Sequence, residues 1–420
     1  MAVSPSCSGA WKIFNAITWP PDITCVTITA VRDLPAAVRA RARDAGAEAW
    51  LDELPGLIGG LAEAWGLRLG ETYGDATEAY VVEVALENRT AAAVLKMHIP
   101  RPGDHAAREI AVLRLAAGRG CARLLRYDEA RGALLLERLG PSMADLHLPQ
   151  PTRLNILCDL AAALWRPVDP PPRPGRAGRP AIPLPTGADR ASTISRYIRQ
   201  KWTELGEGAA PGTGGGGEPC TRQAMEHALA AAESRRRAHN PDRAVLIHGD
   251  VHQWNALRAL ADPAAVRDPA AARGDGAARE DGAARGDLEG RLGGVRPDRG
   301  GGAGWGGEDF RLVDPDGYWA EPECDLGVLM REDPVELLAG DPWDRARRLA
   351  ARTGTDPVAI WEWGVADRVA TGLALTIAGV QPVAAEMLAA ADAISAAADA
   401  ISAAADGIGA SRTGRTPPQP

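Results

Sequence analysis

Lysine is almost missing from this chain. Among 47 lysines and arginines, only Lys12, Lys96 and Lys201 are lysines. Arginine serves wherever a positive charge suffices, so a position that keeps lysine points to a need for a compact ammonium. An excess of positive charge is also missing. The formal net charge is −8, which excludes a nucleic-acid partner that must be met through its phosphates. The six cysteines (7, 25, 121, 158, 220 and 324) show no CxxC spacing. That pattern fits a reduced, cytoplasmic setting better than a disulfide framework. No apolar run reaches membrane-spanning length: "VATGLALTIAGV", from Val369, is too short and holds Gly and Thr. The first residues lack a charged start followed by an apolar run, so neither a signal peptide nor membrane attachment is expected.

What remains is a chain of 420 residues that can bury a large core in two lobes. Residues 1–45 show no strong period and read as a poorly ordered extension. A small lobe follows over 46–140. "AEAWLDELPGLIGGLAEAWGL" has helical spacing, and "EAYVVEVALENRTAAAVLKMHI" reads as two strands with Asn88 in the turn. "GDHAAREIAVLRLAAGRG" reads as a helix with Asp104 as N-cap and Gly118 and Gly120 as stops. "CARLLRYDEARGALLLERLGPSM" reads as a hairpin turning over Asp128 to Gly132. The remainder, 141–385 and beyond, is mainly helical, with helices expected near 152–165, 191–205, 221–238, 334–350 and 356–404. Low-complexity loops interrupt them at 166–189, 206–220 and 261–308; the last contains the tandem hexads "AARGDG", "AAREDG" and "AARGDL". In 386–420, "ADAISAA" repeats and places Ile394 and Ile401 on one face of an extended final helix, before a disordered tail.

The chemistry concentrates in "VLIHGDVHQWNAL", Val245 to Leu257. His248 and His252 stand at i and i+4, as in zinc-binding HExxH helices. Gly249 and the β-rich flanks argue against a helix, and no Glu lies between the histidines. Asp250 and Asn255 are five apart, the spacing of a kinase catalytic loop. There a carboxylate accepts the proton of an acceptor hydroxyl, and an amide oxygen holds magnesium at the phosphates. A plain polar turn with an Asx cap is the bland alternative. "FRLVDPDGYWAEPECDLGVL" begins as a strand and delivers Asp314, where a second magnesium ligand is expected. Asp314 lies 59 positions after Asn255. Removing 261–308 would leave a simple hairpin between them. Asp325 opens the next helix as a cap or as a brace for the loop, and His248 is expected to shape that loop.

Two further groups complete the pattern. Lys96 on a strand, followed thirteen positions later by Glu109 on a helix, matches the Lys–Glu pair that grips nucleotide phosphates. Glu137, Arg138 and Leu139 would form the hinge beside an adenine, Glu137 and Leu139 contributing through their backbone. No GxGxxG is present; "GETYGDATEAY" offers only two glycines to cover the nucleotide.

"HGDVHQWNAL" with "LVDPDGYWAEPECDLGVLMREDP" resembles the aminoglycoside phosphotransferase family, and within it the streptomycin 6-kinases of the aminoglycoside/hydroxyurea kinase group. The resemblance covers about residues 46–385 apart from the loops. It implies an α+β, bilobal protein-kinase-like fold, with a β-rich N-lobe and a mainly helical C-lobe. It also implies transfer of the γ-phosphate of ATP, with Mg2+, to a hydroxyl of a small-molecule aminoglycoside. Carried over, Asp250 is the catalytic base, Asn255 and Asp314 the magnesium ligands, and Lys96 the phosphate-binding lysine partnered by Glu109.

Charge points the same way. Between Arg311 and Arg345 lie ten acidic residues and three arginines. Such a cluster would attract a guanidinium-bearing acceptor, with Glu321, Glu323, Glu332 and Asp333 as candidate contacts. Other acceptors fit the same motifs: hydroxyurea, another aminoglycoside, a sugar or a fructosamine. A kinase-like binding protein without activity is the third class, and a His248/His252 metallohydrolase the last.

Overall fold

A computed structural model describes residues 34–74, 76, 78–86, 92–166, 184–207, 218–260 and 305–397. The N-lobe opens with α1 (Ala36–Asp44) and α2 (Glu48–Trp65). On α2, Trp50, Leu54, Ile58 and Leu61 recur at helical spacing and are buried. They lie against one face of a five-stranded antiparallel sheet. Its strands are β1 (Leu67–Thr72), β2 (Ala79–Leu86), β3 (Ala92–His98), β4 (Leu124–Asp128) and β5 (Ala133–Glu137), in the order β1-β2-β3-β5-β4. The two-residue period of β3 divides its side chains. Ala93, Leu95 and Met97 enter the core shared with α1 and α2, which sends Lys96 and His98 to the opposite face. That face meets α3 (His105–Ala116).

The C-lobe is built from α4 (Gln150–Leu164), α5 (Gly187–Glu207), α6 (Arg222–Ala238), α7 (Glu323–Arg331), α8 (Pro334–Leu338), α9 (Pro342–Thr353) and α10 (Pro357–Ile377). A further helix, 383–397, completes it. The crossing of α7 and α10 depends on absent side chains. A Cβ on Gly327 would stand 2.3 Å from Trp363 Cβ, and one on Gly364 would stand 2.4 Å from Met330 Cβ. Two short ribbons carry the polar loops. β6 (Val245–Ile247) pairs with β9 (Tyr318–Ala320), and β7 (Ala256–Arg258) pairs with β8 (Phe310–Leu312). The inter-lobe linker is sewn to β7: Gly140 N donates to Arg258 O at 2.7 Å, and Arg258 N to Pro141 O at 2.9 Å.

The α+β, bilobal protein-kinase-like arrangement is present, with several local differences. Residues 36–44, placed in an extension, form α1 and bury Val38 and Ala42 in the N-lobe core. Strand β1 went unread because "LRLGET" lacks a clean alternation. Asp104 occupies the N-cap position of α3 in the left-handed region and makes no side-chain cap. The expected 334–350 helix divides into α8 and α9 around Gly340, and the helix from 356 breaks at Gly379 and Pro382. The third loop ends earlier than 308: Trp305 packs on Phe310 with ring centroids 5.6 Å apart, and Arg258 lies over its ring. Likewise α5 begins at Gly187, inside the segment given to the first loop. Asn88, Ile401 and the hexads lie outside the described residues.

Candidate active site

The β6–β7 loop and the β8–β9 turn are nested, because β6 pairs with β9 and β7 with β8. Val313 N donates to Asn255 O at 2.9 Å, and His248 Nε2 lies 3.0 Å from Val313 O. Asn255 and Asp314, remote in sequence, therefore sit at the same end of one ladder. Asp314 itself takes φ 59°, in the left-handed region that a non-glycine residue adopts at a cost.

His248 is fully buried, and both its ring nitrogens are committed. Its Nδ1 accepts from Asp250 N at 3.2 Å, so Nε2 carries the proton and donates to Val313 O. His252 Nδ1 accepts from Trp254 N at 3.2 Å, which leaves Nε2–H to donate to Asp250 Oδ2 at 3.1 Å. Neither histidine offers a lone pair to zinc. Among the described residues, no group of three His, Cys, Asp or Glu side chains could hold a metal ion.

Asp325 braces the loop rather than capping α7. Its Oδ1 accepts from Gly249 N at 2.7 Å, and its Oδ2 accepts from His248 N at 3.1 Å and Trp165 Nε1 at 2.9 Å. Burial raises its carboxyl above the usual range, opposed by these donors and by His248. On Asp250, Oδ2 accepts from His252 and from Asn255 Nδ2 at 3.2 Å, while Oδ1 accepts from Arg331. Burial pushes the Asp250 carboxyl up, but His252 and Arg331 outweigh it and hold it well below the usual range.

Lys96 Nζ lies 2.6 Å from Glu109 Oε2 and 2.7 Å from Asp314 Oδ1. Burial works against its charge, yet Asp314 and Glu109 together raise the ammonium above its ordinary range. His98 Nε2 stands 2.7 Å from the same Glu109 oxygen. Burial raises Glu109, Lys96 and His98 lower it, and the outcome is about 2. Lys96 thus ties the helix α3 to the turn that bears Asp314.

Magnesium can be tested against this donor set. Asn255 Nδ2 is committed to Asp250 O and Oδ2, which leaves its Oδ1 as an acceptor. Asp314 is a carboxylate whose side chain is 56 % exposed. One amide oxygen and one carboxylate are the hard donors this ion takes, with water and phosphate oxygens filling the other positions. The residues fit.

Other expected positions are less directly engaged. Glu137 accepts from Arg123 N at 2.7 Å and Arg123 Nε at 2.8 Å, and its own N–H donates to Arg123 O. Its side chain therefore stays at the edge of β5, and Leu139 is half-buried in the linker. The acidic cluster is mostly spoken for. Glu321 accepts from Trp363 Nε1 at 2.8 Å and pairs with Arg235. Glu323 is buried and accepts from Asp356 N at 3.0 Å. Asp333 pairs with Arg153 at 2.6 Å. Packing between helices accounts for these three. Glu332 is half-buried, and burial raises its carboxyl above the usual range.

Three participants escaped the sequence reading: His98, Arg331 and Asp316. Asp316 lies 3.8 Å from Arg190. His98 had a signal, since it stands two positions after Lys96 on a strand. Arg331 had none, because its contact with Asp250 is purely tertiary.

Similarity to known proteins bears on this geometry. A model of the aminoglycoside/hydroxyurea antibiotic resistance kinase family matches residues 70–280. Hydroxyurea phosphotransferase of Kitasatospora aureofaciens is 37 % identical over 115 residues, covering 27 % of this chain and 33 % of that protein. Streptomycin 6-kinase of Streptomyces glaucescens is 37 % identical over 107 residues, covering 26 % of this chain and 34 % of that protein. Each match spans about a third of the relative. Among solved structures, aminoglycoside phosphotransferase APH(4)-Ia in complex with ADP and hygromycin B is 14 % identical, with TM-score 0.44, over 80 % of this chain and 97 % of that one. Spectinomycin phosphotransferase APH(9)-Ia in complex with ADP and spectinomycin is 9 % identical, with TM-score 0.42, over 80 % of this chain and 93 % of that one. Half of the sequence matches one family model, and that half carries Lys96, Glu109, Asp250 and Asn255: the chain belongs to the aminoglycoside/hydroxyurea antibiotic resistance kinase family.

Proposed function

We propose that this protein transfers the γ-phosphoryl group of ATP to a hydroxyl of an aminoglycoside, with streptomycin as the acceptor. The observation that carries this reading is the convergence of Lys96, Asp314 and Asn255 beside Asp250, through contacts between segments remote in sequence. The acceptor oxygen attacks the γ-phosphorus, and the bond from that phosphorus to the β–γ bridging oxygen breaks. ADP leaves with the electron pair, and the hydroxyl proton passes to the Asp250 carboxylate and then to solvent. Lys96 binds phosphate oxygens of the nucleotide. Asn255 and Asp314 would hold magnesium, which would supply charge neutralisation at the nucleotide phosphates. Asp250 is held in place by His252, Asn255 and Arg331. Its main task is to orient the hydroxyl, which suits a loose transition state with little need for early deprotonation. No helix among the described residues is long and apolar enough to cross a membrane.

The partnering of Glu321, Glu323 and Asp333 favours a second reading. It leaves less unpaired negative charge for a polycationic acceptor, and hydroxyurea needs none. Streptomycin-dependent ADP release, run beside hydroxyurea, tests both, with mass analysis of the product. ADP release with hydroxyurea and none with streptomycin selects the second reading. Release with neither, despite ATP binding, overturns both.

A further inference from the structure

We propose that Arg331 is a positioning residue for Asp250: by engaging Oδ1 it leaves one lone-pair direction on the carboxylate for the acceptor hydroxyl. The inference rests on the reading of Asp250 as the group that takes the acceptor's proton. The count is simple. A carboxylate offers about four acceptor sites. On Asp250, His252 Nε2 and Asn255 Nδ2 occupy Oδ2. Arg331 Nη2 occupies one site of Oδ1. The remaining direction on Oδ1 lies beside the guanidinium, so the acceptor must approach there.

The support for Arg331 is unusually firm. It is the last residue of α7, and its Nη1 donates to Thr371 Oγ1 on α10 at 3.0 Å. The terminal carbonyls of α7 receive two buried arginines. Arg345 Nη1 donates to Leu329 O at 3.4 Å and to Glu332 O, and Arg368 Nη2 donates to Met330 O. Among the described residues, neither arginine forms an ion pair with a carboxylate. Burial and the nearby Arg345 and Arg331 lower Arg368 to about 9. Two buried cations on carbonyls are favourable at a helix C-terminus, where partial negative charge collects. The first turn of α7 meanwhile holds the loop backbone through Asp325. One helix thus fixes the catalytic loop at two points, its backbone from the first turn and its carboxylate from the last residue. The glycine-dependent crossing packs α7 closely on α10, the helix that carries the Thr371 partner of Arg331.

Structural need alone does not explain the contact, because Asp250 already has two donors on Oδ2. Misplacing a reacting group by about 1 Å costs about 10²-fold in rate. Arg331→Gln should therefore lower kcat about 10²-fold and leave KM for ATP within about twofold.

The test uses the full chain with ATP and whichever of streptomycin or hydroxyurea the wild type turns over. If it turns over neither, slow ATP hydrolysis with water as acceptor is read instead. Arg331→Lys should retain part of the lost rate. Arg331→Ala should be partly rescued by millimolar ethylguanidine, which a purely structural loss would not be. Combining Arg331→Gln with Asp250→Asn should cost no more than Asp250→Asn alone. An Arg331→Gln enzyme with wild-type kcat, beside an inactive Asp250→Asn enzyme, overturns the inference and leaves the reading of Asp250 intact. So does an Arg331→Ala enzyme that loses rate and melting temperature together without guanidinium rescue. Wild-type activity in Asp250→Asn instead overturns the reading on which the inference rests.

Discussion

Glu109 concentrates its contacts on one oxygen. Oε2 meets both Lys96 and His98, while Oε1 is buried without a hydrogen-bond partner. Because folding lowers its carboxyl from 4.5 to about 2, the stability it lends is complete above about pH 4.5. That stability is lost as pH falls toward 2. Glu109→Gln should flatten the pH dependence of urea unfolding in this window, and removing one partner of a buried pair costs about 3 kcal/mol. An unchanged acid limb would show that Lys96 and His98 do not govern this carboxyl. Asp250 yields the sharper kinetic prediction. Asp250→Asn should reduce kcat by about 10²–10⁴ with an unchanged circular dichroism spectrum. The sequence spacing made legible that Asp250 and Asn255 share a loop and that Lys96 on a strand faces Glu109 on a helix. For Glu321 and Glu323 the sequence shows the sign of a charge and not its partner. Trp363 and Asp356, which engage them, lie more than thirty residues away.

Among the elements, the docking of α3 on the β8–β9 turn stands out. A Cβ on Gly317, at φ 71°, would stand 2.3 Å from Val112 Cγ2 on α3. Arg108, also on α3, donates to Asp316 O at 2.7 Å, and Arg108 and Arg190 both stack on the Tyr318 ring at 5.1 Å. The helix bearing Glu109 is therefore held directly against the turn bearing Asp314. Gly317→Ala should force the two apart, destabilise the fold by about 1–3 kcal/mol and raise KM for ATP. A variant with wild-type melting and nucleotide affinity would contradict this. The long helices α2, α3, α4, α6 and α10 and the β2–β3 and β4–β5 hairpins were legible from their periods and turn residues, whereas α1 and the division between α8 and α9 were not. The three-residue strands β6 to β9 could be inferred only from the polar loops between them, since so short a run carries no period.

For the molecule as a whole, the helix 383–397 is part of the C-lobe core and not an appendage. Leu388, Ala391 and Ile394 join the main cluster. Asp392 accepts from Thr221 N at 2.7 Å at the start of α6, and Ser395 meets His227 at 3.0 Å. Ile394→Ala should cost about 2–4 kcal/mol, measurable by denaturant unfolding. Ending the chain at 382 should abolish soluble folding, because several such losses exceed a typical domain's margin. A soluble, cooperative fragment would refute that. The heptad "ADAISAA" hinted at this helix, yet nothing in its period revealed what it would touch.

The β7–β8 ladder also bears on how the chain reaches its fold. Asn255 and Asp314 are neighbours across a ribbon, although 59 positions separate them. Closing a loop costs free energy that grows only with the logarithm of its length. Lengthening this connection from about ten residues to about fifty costs roughly 1–2 kcal/mol. The insertion also enters and leaves at the ladder's far end, at Leu260 and Trp305, where Ala259 N already donates to Asp309 O. Evolution could lengthen that connection repeatedly, as the tandem hexads suggest, for a modest and slowly growing loss of stability and a slower search for the native pairing.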